Sequence, residues 1–242
     1  MTSSRPAFYA LEPGGWRDYV TLLHPPYTLW HLSFVAVGAG LAPEVQPTRL
    51  ALVLTAFLLA MGVGAHALDE LQGRPLRTRI GSGMLVALAA ASIGGAIAIG
   101  VVAALLWSLW LLAFVAAGGF LVVAYNLELA GGLFHGDPWF SLGWGAFPVL
   151  TAYFLCAGRI RAEAVAAAAF AALLSHAQRV LSTQVRTARR RTASVEGRIV
   201  YVDGSEERLD QDTLTRMPEA ALKTLAAASV AIGIALLLLH AR

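Results

Sequence analysis

Seven apolar stretches, each near the roughly 20 residues that a helix needs to cross a hydrocarbon core, constrain this chain more than any other feature. They fall at 27–43, 49–67, 83–102, 104–125, 140–157, 163–182 and 220–240. In lipid a spanning segment must satisfy its own backbone N–H and C=O groups, so apolar runs of this length predict helices. The expected fold class is therefore all-α, a polytopic membrane bundle of about seven transmembrane helices. The least defined boundary lies between the third and fourth runs. Met84 to Asn126 carries no charge, and only Gly94, Gly95 and Gly100 hint at a turn. That stretch is too long for one span and suits a tight helical hairpin.

Composition agrees. Only 14% of residues are charged, against about 25% in an ordinary soluble domain. Hydrophobic residues make up 57% and the mean hydropathy is +0.65. Four regions follow: an N-terminal segment 1–26, a bundle 27–182, a polar segment 183–219 and a last helix 220–242. Residues 1–24 hold Pro6, Pro13, Gly14 and several charges with no apolar core, so no cleavable signal peptide is expected. The spans are rich in glycine and alanine, as at Gly62, Gly64, Gly118 and Gly119, which lets helices approach closely in lipid. Cys156 is the single cysteine, which excludes an internal disulfide and a CxxC site.

The basic pI of about 9.3 reflects topology rather than nucleic-acid binding. With a cytoplasmic N-terminus, 14 of the 18 cationic residues lie inside; only Arg49, Arg159, Arg161 and Arg242 lie outside. This orientation puts the polar loops 66–82 and 126–139 on the cytoplasmic face of a cell membrane, expected to be a bacterial plasma membrane. Arg186, Arg189, Arg190 and Arg191 crowd six positions, either as a stop signal at a helix end or as an attraction for anionic lipid or diphosphate. Residues 197–209, with Asp203-Gly204 at the centre, predict a small β-hairpin.

The polar residues gather on the same side. His24, His31, His66, His135 and His176 lie there with Asp69, Glu70, Asn126, Glu128 and Asp137. Ionisable groups at membrane depth are costly and usually face a cavity or one another. His66, Asp69 and Glu70 share a helix face if the second helix continues through them. Their carboxylates suit Mg²⁺; the imidazole favours Zn²⁺, Mn²⁺ or Fe²⁺. Arg74, Arg77 and Arg79 follow closely and suit topology or a phosphate clamp. The six tryptophans are read mainly as interfacial anchors.

The order of these features resembles the UbiA superfamily of intramembrane prenyltransferases. Leu23-His-Pro-Pro-Tyr-Thr-Leu is similar to that family's entry into its first helix. Gly62-Val-Gly-Ala-His-Ala-Leu-Asp69-Glu-Leu-Gln-Gly-Arg-Pro-Leu resembles its first Asp-rich loop. Ala124-Tyr-Asn-Leu-Glu through His135-Gly-Asp137, then Gly143-Trp-Gly-Ala-Phe-Pro-Val-Leu-Thr-Ala-Tyr153, resembles its second loop and fifth helix. The resemblance covers roughly residues 20–185. It implies a UbiA-like bundle that uses Mg²⁺ to transfer an isoprenoid from a prenyl diphosphate to a lipophilic acceptor. It makes Asp69, Asp137, His66 and His135 the catalytic set, and Asp69, Glu70, Asp137 and His66 the metal ligands. Arg74, Arg77, Tyr125, Asn126 and Glu128 become substrate contacts. Asp69 and Asp137 are then expected to share one cation. The sequence departs from the family pattern: of the first loop's aspartates only Asp69 remains, Ser141 stands where the second loop repeats Asp, and Leu129 stands where Lys follows Tyr. Two other readings stay open. One is a membrane metalloenzyme with a transition metal among His24, His31, His66, His135 and His176. The other is a non-catalytic protein that binds a lipid or a partner, with 183–219 as a candidate binding segment.

Overall fold

A computed structural model describes residues 5–240. It contains eight helices of seven residues or more: α1 (Trp16–Leu22), α2 (Pro25–Gly40), α3 (Pro47–Leu71), α4 (Ser82–Leu106), α5 (Leu111–Asn126), α6 (Asp137–Ala157), α7 (Ala162–Arg191) and α8 (Gln211–Leu238). Among the described residues, five helices are long and apolar enough to cross a membrane: α3, α4, α6, α7 and α8. The sixteen-residue helices α2 and α5 are shorter. Each apolar run in the sequence lies mainly on one of these seven helices, with shifted boundaries. The turn between α4 and α5 falls at Trp107–Trp110 and not at the glycines, which stay helical. Trp110 is exposed there, where an indole can anchor at an interface. Helix α3 continues through Leu71, so residues 66–71 expected in a loop form its last turns. Helix α8 starts nine residues before the expected span. Asp210 caps it by accepting from the Thr213 N–H at 2.9 Å, while Thr213 Oγ1 accepts from the Asp210 N–H.

Helix α2 is the central post. It packs against α6 and α8, and α7 packs against the start of α6. Two glycines permit these crossings. A Cβ on Gly38 would stand 2.2 Å from the Val149 carbonyl oxygen, and one on Gly145 would stand 2.5 Å from that of Ala171. Such close approach is how helices gain dispersion contacts in lipid. Trp30 and Trp144 are buried in the core, which corrects their reading as interfacial anchors. The hairpin consists of β1 (Arg198–Val200) and β2 (Glu206–Arg208), antiparallel with Arg198 opposite Arg208. Gly204 takes the left-handed conformation at φ 82°, and Asp203 Oδ1 accepts from the Ser205 N–H.

Candidate functional site

Three helices widen into π-helical turns, α3 over Leu58–Ala65, α6 over Ser141–Ala146 and α7 over Thr187–Arg191. Such bulges break the regular ladder and recur at functional sites. Between those of α3 and α6 an apolar cleft, partly open to the surroundings, runs along α3, α4, α5 and α6. Phe57, Phe114, Phe147 and Leu155 are among its walls, and Met61, Val122 and Trp144 close one end. Trp144 stands 4.5 Å from the Tyr125 ring, where the polar cluster begins.

Tyr125 organises one half of that cluster. Its ring stacks on His135 at 4.5 Å, and the Arg179 guanidinium lies 5.7 Å above it and 5.4 Å from Phe140. Arg179 donates from Nε to Asp137 Oδ1 at 2.6 Å, to the Tyr125 hydroxyl and to the His135 carbonyl. Thus Asp137, half exposed at the start of α6, is neutralised by Arg179. His135 donates Nδ1–H to the Tyr125 carbonyl at 2.9 Å, with the exposed Glu128 carboxylate 4.0 Å away. Asn126 is buried and donates to Val122 one turn back, a bond internal to α5.

Asp69 organises the other half. It accepts no hydrogen bond among the described residues, and the charged groups acting on it are Arg190, Arg186, Glu70 and His135. His66, one turn earlier, donates Nδ1–H to the Gly62 carbonyl at 3.0 Å. A carbonyl only accepts, so the proton is on Nδ1 and Nε2 keeps its lone pair. His24 is held likewise by the Leu22 carbonyl at 2.8 Å, and the two imidazoles stack at 3.9 Å. Burial, and then the neighbouring His66, hold His24 well below the ordinary histidine pKa, so it is neutral at pH 7. His31 reaches across from α2 to the Trp144 carbonyl at 2.9 Å and ties α2 to α6, while His176 is exposed.

Other candidates are committed elsewhere. Glu70 is fully buried and accepts from the Leu76 N–H, the Thr78 N–H and the Thr78 hydroxyl, all at 2.9 Å. Arg74 donates to the Ile80 carbonyl and, at 2.8 Å, to Ser82 Oγ. Both fold the 72–81 loop onto itself. Arg77 is exposed in that loop with φ 59°. The magnesium ion implied by the resemblance needs carboxylates free to share it. The residues present do not fit: Asp137 is claimed by Arg179, Glu70 by the loop, and Asp69 alone is uncommitted. Among the described residues no three His, Cys, Asp or Glu side chains group as a metal cage.

The sequence reading missed the N-terminal strap. Ala7 and Ala10 are buried, Leu11 N–H donates to Thr21 Oγ1 at 3.0 Å, and Arg190 Nε donates to the Pro6 carbonyl at 3.1 Å. Tyr9 thereby sits 5.2 Å from His24 and 5.6 Å from Tyr27. A run with one proline and two aromatics carries no helical or strand period that would have flagged it. Arg179, Arg186 and Arg190 did carry a signal, because spacings of seven and four put them on one helix face. No protein-family model, curated protein or solved structure matches this chain.

Proposed function

We propose that this chain is a UbiA-like intramembrane prenyltransferase of about seven spans, working at the cytoplasmic face. It would take a prenyl diphosphate and pass the isoprenoid group to a lipophilic acceptor. One observation carries the reading: an apolar cleft, partly open to the surroundings, is lined by Trp144, whose ring stands 4.5 Å from Tyr125, where the charged cluster begins. The isoprenoid chain fits the cleft and its diphosphate the cluster. In the reaction the bond between C1 and the diphosphate oxygen breaks, and the electron pair leaves with the diphosphate. A new bond forms from C1 to the acceptor, which gives up a proton. The π faces of Tyr125, Phe140 and Trp144 are grouped where a developing allylic cation gains from them. The bare Nε2 of His66 is suited to take the proton.

The test is release of diphosphate from geranylgeranyl diphosphate by purified protein in lipid nanodiscs supplied with a membrane lipid extract, alongside mass spectrometry of copurified lipids. Diphosphate release together with a prenylated product supports the transferase. A second reading, lipid binding without turnover, has its own support in the commitment of Glu70 and Asp137 to protein partners. A copurified isoprenoid lipid with no release would select it. Absence of both binding and release would remove the isoprenoid reading altogether.

A further inference from the structure

We infer that Arg186 and Arg190 form a metal-independent subsite for the phosphate oxygens of an isoprenoid lipid headgroup. The inference rests on the isoprenoid reading above and replaces the ion that reading would borrow from its family.

Of the five arginines near the cytoplasmic end of α7, Arg191 is exposed and the other four divide into two kinds. Arg179 is paired with Asp137 at 2.6 Å, and Arg189 with Glu219 at 2.6 Å. Arg186 and Arg190 have no carboxylate partner among the described residues, although both are half-buried. Arg186 donates only to hydroxyls of its own helix, Ser182 Oγ at 3.2 Å and Thr183 Oγ1 at 2.8 Å. Arg190 donates once, to the Pro6 carbonyl. A guanidinium carries five N–H donors, so most of this pair's capacity is unspent. The two side chains are one turn apart, and each acts electrostatically on Asp69, Tyr9 and Tyr27. Two cations without a carboxylate bonded to either therefore act on Asp69, with neutral His24 beside them. Half-buried cations in excess are costly unless an anion completes the set. A phosphate or diphosphate supplies that anion and matches the fork geometry of guanidinium.

The surroundings indicate how the headgroup arrives. The strap of residues 6–11 lies over this corner, held by Arg190, by Thr21 and by Lys223, whose Nζ is 4.9 Å from the Phe8 ring. The apolar cleft begins on the other side of Tyr125. An anion with a long apolar tail satisfies both features; a free anion satisfies only the first.

The experiment measures binding of the full-length protein in nanodiscs to radiolabelled geranylgeranyl thiodiphosphate, a slowly ionising probe, with EDTA or with Mg²⁺. The expected result is equal affinity in both. Arg186→Gln and Arg190→Gln should each weaken binding about tenfold or more, and the exposed Arg159→Gln should leave it unchanged. Should a glutamine variant unfold, Arg186→Lys and Arg190→Lys keep the charge, lose the fork and should weaken binding less. Binding that needs Mg²⁺ overturns the inference and leaves the isoprenoid reading standing. Binding under neither condition overturns that reading with it. Inorganic diphosphate competing as well as the prenyl ester would make this a free-anion site and overturn the lipid assignment.

Discussion

Replacing Glu70 separates an anchoring carboxylate from a metal-binding one. Its oxygens accept three hydrogen bonds from the 72–81 loop, and Leu76 and Thr78, which provide them, are themselves buried. The loop also holds Arg74 at φ 56° and Arg77 at φ 59°, left-handed conformations that cost a non-glycine residue about 1–2 kcal/mol each. Hydrogen bonds to a charged group contribute about 1.5–3 kcal/mol apiece, less the cost of burying the carboxylate. Glu70→Ala should therefore destabilise the loop by about 3–5 kcal/mol, which is more than the two strained residues can lose without rearranging. In amide hydrogen exchange of the nanodisc-embedded protein, Leu76 and Thr78 should exchange at least about 100-fold faster, since every 1.4 kcal/mol is tenfold. Glu70→Gln keeps one acceptor and should fall between. Asp69→Asn, one residue away but without loop contacts, should leave both amides protected. Unchanged protection in Glu70→Ala would refute the anchoring role and return Glu70 to the pool of free ligands.

Three further outcomes are expected. Gly145→Val should lower the thermal unfolding midpoint in detergent, because its Cβ would meet the Ala171 carbonyl at 2.5 Å and force α6 from α7; overpacking of this kind costs about 1–3 kcal/mol or more. Glu219→Ala should lower the midpoint in the same assay by taking the carboxylate away from the half-buried Arg189, while the double change with Arg189→Leu should recover most of the loss. The Asp210 carboxyl is held below its ordinary pKa by the Thr213 N–H and hydroxyl. Its capping contribution is thus complete above a pH of about 3.9 and is lost as pH falls through the lower folded value. The first-turn amide of Thr213 should lose exchange protection only in that acid range.

The bundle was legible because seven long apolar runs stand out along the chain, and lipid leaves few alternatives to a helix. The hairpin was legible from the apolar run ahead of the Asp203-Gly204 turn. The end of α3 was not, since His66, Asp69 and Glu70 read equally well as a polar loop or a last helical turn. Nor was the α4–α5 turn. Gly94, Gly95 and Gly100 are glycines at which a helix can break, but in lipid the backbone gains more by continuing, and the chain turns instead where Ser108 lies between two tryptophans. The roles of Glu70 and Asp137 depend on groups 6–8 and 42 residues away, and no local pattern encodes those pairings.

The same point governs the chemistry. Read along the chain, Asp69 and Asp137 are two carboxylates on two loops, and a shared divalent cation is the economical way to bring like charges together. In space Arg179 closes on Asp137 Oδ1 and balances its charge, whereas Arg186 and Arg190, which the sequence leaves as a stop signal or an anion attraction, act on Asp69 without a direct bond to it. One half of the cluster is therefore electrically complete and the other carries an excess positive charge. Binding an anion there costs no broken ion pair, while binding a cation requires Asp69 to hold it against two guanidinium groups. The proposed subsite at the Asp69 corner rests on this charge balance, and its assignment to a lipid rests on the cleft that Trp144 lines.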